Sequence, residues 1–386
     1  MTFMDTHESA FGHPTAERGF LPVRDPLTEL PAAFAPWEER CAELPRLLTA
    51  GRAREAIRSL PTLDGLTLTT GPEYERAMLL LSYLGHAYVF GGREPCSVIP
   101  SCVAIPWCAV ASRVGRPPVL SYASHALSNW RRFEPSGPIV LDNLARLTNF
   151  LGGMDEDWFV LIHVAIEGAA GPALAAARSL PGAVVEGDEA AVENGLVQIG
   201  DALDAMCGIL RRMPERCDPY IYYRRVRQFI FGWTEIPGGV VYEGVRAYSG
   251  AQVFRGETGA QSTIIPALDA VLGVEFDPGD ALARHQAELQ RYMPPAHRSF
   301  LSTVQGAGVR QFVGDSGKAG LLSAYNHSVW GSAGFREQHL KFALSFIANQ
   351  VQTSSANPVA TGTGGTPFAT YLAGHVREVA AHEFSG

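Results

Sequence analysis

Lysine is almost absent from this chain of 386 residues, in which Lys318 and Lys341 are the only two. Arginine carries nearly all the positive charge, and 39 acidic residues outnumber 31 basic ones, giving a formal net charge of −8. Proteins that bind nucleic acid need a basic surface that neutralises phosphates, so the charge balance predicts no nucleic-acid partner. Arginine in place of lysine, with abundant alanine and glycine, is typical of a GC-rich bacterial genome.

The sequence also lacks the features that send a chain to or through a membrane. The first residues, MTFMDTHESAFGHPTAERG, contain no basic segment followed by an apolar one, so we expect no signal peptide. No apolar run is long enough to span a bilayer, and the longest near-candidate, 159–175, is interrupted by His163, Glu167 and two glycines. We therefore expect a cytoplasmic protein with no membrane partner.

Metal-binding cysteine pairs are missing as well. The six cysteines form no C-x-x-C pair, and no nearby histidine completes a zinc set around Cys96, Cys102 and Cys108. A cytoplasmic chain of this size needs no disulfides. We interpret the cysteines as small apolar core residues.

Strand signals are scarce, and most of the chain shows apolar residues at helical spacing between proline and glycine breaks. This pattern predicts an all-α fold. We expect a disordered or extended arm over 1–35, a small and mainly helical N-terminal domain over 36–150, and a large helical domain over 151–386. The predicted helices include 73–90, 120–132, 158–179, 220–233 and 335–351.

The stretch 335–351, FREQHLKFALSFIANQV, combines an apolar helical face with one imidazole. His339 lies in the middle of that face, and Arg336 lies close to the same side. Such a histidine could ligate haem iron while the arginine pairs with a haem propionate. It could also be a core histidine satisfied by a backbone carbonyl. On this helix alone the second interpretation is favoured, because one histidine is weak evidence.

Three more polar side chains lie on otherwise apolar helices: His163 in WFVLIHVAIEGAA, His125 in SYASHALSNW and Arg227 in YYRRVRQFIFGW. Each taken singly is more simply a satisfied core histidine or a surface arginine lying over aromatic rings. Facing one cavity, they would indicate a site. The loop 360–367, ATGTGGTP, does not match a phosphate-binding loop. It is either a flexible linker or a lid that closes over a substrate.

Nine segments that occur in family order carry a resemblance to a known family. The chain resembles indoleamine 2,3-dioxygenase, a haem enzyme that opens the indole ring of tryptophan, over nearly all of its length after residue 35. The segments are HAYVFGG at 86–92, VAIPWC at 103–108, PPVLSYA at 117–123, SNWRR at 128–132, GGVVYEGV at 238–245, GAQSTIIPALDAVLG at 259–273, RYMPPAHRSFL at 291–301, FREQHLKFALSFI at 335–347 and TGTGGTPF at 361–368.

The resemblance implies a cofactor and a co-substrate, haem b and O2. It implies that His339 is the proximal iron ligand and that the large helical domain holds the haem. Arg336 would lie beside a haem propionate with Asp269 as its partner, and Thr258 would belong to the same cofactor site.

The resemblance also implies a binding site for an indole amino acid. Arg227 matches the arginine that pairs with the substrate carboxylate, and Thr363 matches a residue that closes over the bound amino acid. The indole pocket would be lined by Tyr122, Phe159, Tyr222, Ile230 and Gly259.

Three positions depart from the family pattern. His163 stands where mammalian members have serine, and it resembles the distal histidine with which tryptophan 2,3-dioxygenases contact the indole N–H. His125 stands where the mammalian pocket has cysteine, so either histidine is a candidate catalytic residue beside Arg227. Glu257 stands where glycine is common. It could hold a substrate ammonium or face water, and we expect water because loop glutamates are usually solvated.

Three functions follow from the resemblance. The first is dioxygenation of L-tryptophan to N-formylkynurenine. The second is the same haem chemistry, with one or two oxygen atoms inserted, on a modified tryptophan or indole acid in bacterial specialised metabolism. The third is a haem sensor or carrier without turnover, which would need no carboxylate clamp, so Arg227 and the Gly-Thr loop argue against it. A monomer or a small homo-oligomer is expected.

Overall fold

The computed structural model describes residues 9–276, 281–351, 363 and 368–384. Helices make up most of this part of the chain, so the prediction of an all-α fold is confirmed. The α-helices are α1 (Ala35–Ala42), α2 (Leu44–Thr49), α3 (Ala53–Arg58), α4 (Gly71–Phe90), α5 (Ser101–Val114), α6 (Met154–Ala169), α7 (Gly171–Glu186), α8 (Glu189–Arg211), α9 (Pro219–Ile221), α10 (Arg227–Ile230), α11 (Ile264–Leu272), α12 (Ala281–Leu289), α13 (Pro295–Val304), α14 (Val309–Ser316), α15 (Ala319–Ala343), α16 (Asn349–Val351) and α17 (Phe368–Ala380).

Helix α4 shows how local sequence sets a helix boundary in this protein. The Thr70 hydroxyl accepts the backbone N–H of Glu73, and the Glu73 carboxylate accepts the backbone N–H of Thr70. This capping box satisfies amide groups that have no partner inside the helix. The helix starts two residues before the predicted start and ends before Gly91.

The helix predicted over 120–132 is wrong in part. A π-helical turn, Ala123–Leu127, is followed by the strand Trp130–Arg132, which pairs antiparallel with Leu144–Arg146. A second small sheet joins Val98–Ile99, parallel, to Val240–Tyr242, which pairs antiparallel with Ala251–Gln252. The hydrogen bonds between these strands join segments that are distant in the sequence, and they override the local helical pattern. A short stretch of sequence gives no information on such pairing.

The long helix predicted over 158–179 is two helices, α6 and α7. The extended N-terminal arm crosses at their junction, where Gly19 and Gly171 allow the two backbones to touch. A Cβ at Gly171 would lie 2.2 Å from the carbonyl oxygen of Ala16, so a larger residue would displace the arm. Residues 9–31 contain no helix and pack on the core, since Phe11 and Phe20 are buried. The arm expected over 1–35 stays a prediction.

Two more predicted helices contain π-helical turns. The helix predicted over 220–233 consists of α9, the π turn Tyr222–Val226 and α10, and it ends at Ile230. The helix predicted over 335–351 is the end of α15, which begins sixteen residues earlier, followed by the π turn Leu344–Ala348 and α16. π-Helical turns are rare and are frequently found at functional sites.

Helix α15 is central to the large half of the molecule, where it packs mainly against α8 and α17. Buried apolar residues from Phe11 to Val379 form one contiguous core, to which both predicted domains contribute. No gap in this core coincides with residue 150, so the domain boundary stays a prediction.

One helical stretch, Met154–Glu186, is long and apolar enough to cross a membrane by length and composition. It consists of α6 and α7, and 67% of its apolar window is buried inside the protein. A core helix has this burial, as we expected for 159–175.

Candidate active site

His339 lies on α15 and is surrounded by protein, yet its side chain has a large exposed surface. The two observations together place it on the wall of an interior space. Neither ring nitrogen makes a hydrogen bond to the described residues. Burial, followed by the nearby His163 and Arg336, lowers the pKa of His339 to about 4. The imidazole is therefore neutral near pH 7, with a nitrogen lone pair available to a ligand.

Arg336 lies one turn before His339 and is buried at 4% exposure. Its Nη2 donates to Asp269 Oδ2, and its Nη1 donates to the Ser332 hydroxyl at 2.5 Å. Asp269 Oδ1 has no hydrogen-bond partner among the described residues. Burial raises the pKa of Asp269, and the Arg336 guanidinium opposes that rise. The structure thus brings together Arg336, Asp269 and His339.

His163 lies on α6, close enough to His339 to contribute to the lowering of the His339 pKa. Its Nδ1 is 2.7 Å from the backbone oxygen of Phe159. A carbonyl oxygen only accepts, so Nδ1 carries the proton and Nε2 is left as an acceptor. Burial lowers the pKa of His163 and keeps it neutral. Gly259 lies next to Nε2, because a Cβ built on it would be 4.0 Å away.

Aromatic rings connect the His163 wall with the helix that carries His339. Phe159 has its ring centroid 4.7 Å from those of His163 and Tyr222, and Tyr222 lies 5.7 Å from Phe346. Tyr122 packs edge-on against His163 at 5.9 Å. Phe346 and Tyr222 belong to two of the π-helical turns. This aromatic wall contains three of the residues that the resemblance places in the indole pocket.

Arg227 begins α10 and is 0% exposed. Its guanidinium carbon lies 5.3 Å from the ring centroid of Tyr223 and 4.5 Å from that of Phe231. Burial lowers the pKa of Arg227, which still remains a cation at any physiological pH. Ile230, one turn later, is also buried. A buried cation between aromatic rings suits an anionic ligand group.

The expectation that Glu257 faces water is wrong. Its side chain is 3% exposed, and its Oε2 lies 3.5 Å from Nδ1 of His125, whose side chain is 1% exposed. The Glu257 backbone N–H donates to the Ile230 oxygen at 3.0 Å, and its backbone oxygen accepts the Thr363 hydroxyl. These bonds pull the loop inward. Sequence reasoning failed because it judged one loop residue without its partner His125.

Thr363 and Thr258 both lie next to Glu257: Thr363 through its hydroxyl, which donates to the Glu257 backbone oxygen, and Thr258 as the following residue of the chain. Thr363 is buried at 8% exposure, and the rest of the predicted lid 360–367 lies outside the described residues. Thr258 is half-buried, and its hydroxyl accepts the backbone N–H of Ala260 at 3.4 Å. No described contact connects Thr258 directly with Arg336.

Sequence reasoning missed two residues that position the site. His86 Nδ1 lies 2.7 Å from the Phe229 oxygen, and its Nε2 accepts the Leu120 N–H at 2.9 Å. Burial lowers the pKa of His86 to about 3, so it is the neutral imidazole that joins these segments. Gln261 Oε1 accepts the Tyr122 N–H at 2.9 Å. The signal for His86 was its place in the apolar helix segment HAYVFGG; Gln261 gave none beyond its motif.

Glu167 was also missed as part of the site, although it follows His163 by one turn of α6. It is 0% exposed, and the Ser262 hydroxyl donates to its Oε1 at 2.7 Å. Burial raises the pKa of Glu167 to about 7, while the hydroxyls of Ser262 and Tyr122 partly oppose this. A carboxyl that titrates near neutral pH therefore lies directly behind Tyr122.

Comparison with known proteins decides what kind of site this is. The family model described as "Indoleamine 2,3-dioxygenase" matches residues 13–380. The chain belongs to the indoleamine 2,3-dioxygenase family. It is 35% identical to indoleamine 2,3-dioxygenase 1 of Mus musculus over 90% of this chain and 89% of the mouse protein. It is 30% identical to the Saccharomyces cerevisiae indoleamine 2,3-dioxygenase, over 88% and 81%. It is equally 30% identical to a 6-hydroxytryptophan 2,3-dioxygenase of Fusarium equiseti, over 93% and 94%.

Members of the indoleamine 2,3-dioxygenase family are haem-dependent oxidoreductases, so haem is the cofactor of this protein and O2 its co-substrate. The residues present fit that group. Among the described residues no cluster of three or more His, Cys, Asp or Glu could hold a bare metal ion. A porphyrin already supplies four nitrogen ligands, so one neutral histidine with an unbonded nitrogen in an interior space is sufficient. His339 is such a histidine.

Proposed function

We propose that this member of the indoleamine 2,3-dioxygenase family inserts both atoms of O2 across the C2–C3 bond of L-tryptophan to give N-formylkynurenine. The observation that carries the proposal is a neutral His163, its Nε2 an acceptor, on an aromatic wall near His339. The family membership supports the same reaction class.

His339 would hold the haem, with Arg336 near a propionate. When bound, haem supplies the redox-active iron that activates O2. The pairing of Arg336 with Asp269 fixes the guanidinium one turn from His339. With substrate bound, the aromatic residues Phe159, Tyr222 and Phe346 would help to exclude water, which limits side reactions of activated oxygen.

Arg227 would bind the substrate carboxylate. A guanidinium presents parallel N–H donors that match a carboxylate. The rings of Tyr223 and Phe231 both pack against it and limit its movement. With the carboxylate fixed, the indole of the amino acid has few orientations left within the aromatic wall, which includes Phe159 and Tyr222.

His163 would accept the hydrogen bond of the indole N–H. The Phe159 carbonyl fixes its tautomer, so Nε2 needs no rearrangement before it binds the substrate. No strong base is required, because the indole ring is itself electron-rich. Thr363, whose hydroxyl donates to the Glu257 backbone oxygen, would close over the bound amino acid.

A modified tryptophan is the second candidate substrate. His163, His125 and Glu257 make this pocket more polar than an unsubstituted indole requires. One relative of similar identity is named for 6-hydroxytryptophan. Such a substrate would place the protein in specialised metabolism, and the composition supports a bacterial source.

The remaining expectations belong to the same proposal. We propose a cytoplasmic protein that works as a monomer or small homo-oligomer, without nucleic-acid or membrane partners. The net charge of −8 and the burial of Met154–Glu186 support this. Light scattering of the haem-loaded protein measures its oligomeric state.

The test is the mass of the product formed from L-tryptophan and 18O2 by the reduced, haem-loaded protein. Gain of two labelled oxygen atoms is expected. Gain of one would indicate mono-oxygenation instead. Absence of product with L-tryptophan, together with turnover of a modified tryptophan, would favour the second candidate substrate.

A further inference from the structure

His125 and Glu257 form a buried polar pair on the substrate side of the site. The distance between His125 Nδ1 and Glu257 Oε2 is 3.5 Å. The Glu257 backbone is held by Ile230 on one side and by Thr363 on the other. The carboxylate thus has a fixed position, and it directs the Nδ1 edge of the imidazole toward itself.

The other ring nitrogen of His125 points away from this carboxylate. His125 Nε2 is buried and has no hydrogen-bond partner among the described residues. A buried polar atom without a partner destabilises the fold, because it has lost its hydrogen bonds to water and gained none in the protein. A nitrogen in this state is suited to a ligand group that completes its hydrogen bonding.

The pair lies beside the aromatic wall. The His125 ring centroid is 6.2 Å from that of Phe159, which packs against both His163 and Tyr222. The charge of Glu257 also favours the protonated form of His163, so the two polar groups share one environment. Phe159 thus neighbours both histidines, so His125 lies beside the ring against which a ligand bonded to His163 would pack.

We propose that His125, oriented by Glu257, selects a tryptophan that carries a hydroxyl on the benzene half of its indole. This rests on the proposed function, whose substrate it specifies. The benzene half of unsubstituted indole offers only C–H groups and would leave Nε2 unpaired. A hydroxyl both donates and accepts, so it can pair with Nε2 in either tautomer of the imidazole. A substrate ammonium on Glu257 would compete with His125 for the carboxylate and still leave Nε2 unpaired.

Equilibrium binding to the haem-loaded ferric protein tests the inference. The ligands are L-tryptophan, its 4-, 5-, 6- and 7-hydroxy derivatives, and the corresponding fluoro derivatives as size controls. Binding is followed by the haem absorption spectrum and by calorimetry. Equilibrium binding is needed because a hydroxyl also changes the intrinsic reactivity of indole. We expect one hydroxy isomer to bind about tenfold more tightly than tryptophan and its fluoro counterpart.

Two variants assign that preference to the pair. His125→Leu is expected to bring the Kd ratio of the preferred isomer to tryptophan close to one. His125→Gln, which keeps an amide near the Nε2 position, is expected to retain part of the preference. Glu257→Gln keeps the shape of the pair and weakens its orientation, so an intermediate ratio is expected even if the leucine variant fails to fold.

Two results would overturn the inference in distinguishable ways. If no hydroxy isomer binds the wild type more tightly than tryptophan while tryptophan is still turned over, the pair is structural and the proposed function stands. If none of these indoles binds or reacts, the proposed function fails and the inference fails with it.

Discussion

The two histidines that share the interior space are held in different ways. His339 makes no hydrogen bond to the described residues, whereas Nδ1 of His163 is tied to the carbonyl of its own helix turn. Burial lowers the pKa of both, so each is neutral. The free imidazole is suited to a metal ligand, and the tied one presents a single acceptor. Two residues of the same type are thus suited to different roles, because only His163 is hydrogen-bonded to a backbone carbonyl.

The backbone around His339, the cofactor side, is more regular than the backbone around the predicted indole pocket, the substrate side. Arg336 and His339 lie on α15, a regular helix of 25 residues. The substrate side combines α6, which carries Phe159 and His163, with loops and with the π turns Ala123–Leu127 and Tyr222–Val226. All three departures from the family pattern, His125, His163 and Glu257, belong to the substrate side. The cofactor side therefore has the more regular backbone of the two.

The strongest way to break this comparison is to remove the free imidazole. His339→Ala is expected to lose most of its haem, or to bind it without a protein ligand, because the variant lacks the imidazole that would ligate the iron. Haem content after gel filtration and the ferrous absorption spectrum measure this, and added imidazole should restore a five-coordinate spectrum. His327→Ala, on the same helix but paired with surface Asp204 at 3.0 Å, is the control. A normal ferrous spectrum in His339→Ala would remove His339 from the iron.

The buried carboxyls of the two sides give the next comparison. Asp269 has a cation, Arg336, whereas Glu167 has only the hydroxyls of Ser262 and Tyr122. Burial raises the pKa of Glu167 from 4.5 to about 7. Between these two pH values the carboxyl of Glu167 is protonated in the folded protein and ionised in the unfolded one. The free energy of unfolding that this group contributes is therefore fully present below pH 4.5 and is lost as pH rises to about 7.

Glu167→Gln removes this titration. Relative to wild type, the variant is expected to gain up to about 3 kcal/mol in free energy of unfolding between pH 4.5 and pH 8, since one pKa unit corresponds to about 1.4 kcal/mol. Urea denaturation of the haem-loaded proteins at both pH values measures the difference. Glu186→Gln, at an exposed glutamate of α7, is the matched control. Equal pH dependence in wild type and Glu167→Gln would contradict the raised pKa.

Replacing Arg227 tests whether substrate binding and haem binding depend on different residues. Arg227→Ala is expected to raise KM for L-tryptophan tenfold or more, because a charge-assisted hydrogen bond contributes about 1.5–3 kcal/mol. Tryptamine, which has no carboxylate, should show little change, and haem content should stay normal. Arg225→Ala, two residues earlier and exposed, is the control. An unchanged KM for tryptophan would take Arg227 out of the substrate site.

Much of this fold was predictable because helical periodicity is a local signal. The helix at 73–90 and the apolar face around His339 follow from it directly. The strand Trp130–Arg132 and the crossing of the arm over α6 and α7 did not, since both depend on contacts with distant segments. The π turns were missed for a related reason: the apolar pattern of a helix with one widened turn differs little from that of an ordinary helix.

The candidate site divides in the same way. The resemblance named His339, Arg336, Asp269 and Arg227 one by one, and each is a residue whose chemistry is visible in its type. Glu167 and the pair of His125 with Glu257 depend on burial and on partners far along the chain. A glutamate in a sequence is solvated by default, and only the fold shows which ones are not.

The smallest expected effect tests the tied imidazole itself. His163→Ala should lower kcat/KM for L-tryptophan about twofold to tenfold, since a neutral hydrogen bond contributes about 0.5–1.5 kcal/mol. A substrate methylated at the indole nitrogen lacks the N–H, so its kcat/KM should be low in wild type and no lower in the variant. His163→Gln, which retains an acceptor, should recover part of the loss with tryptophan. Equal losses for both substrates would mean that His163 supports the aromatic wall rather than the indole N–H, and the contrast between the two histidines would then concern packing alone.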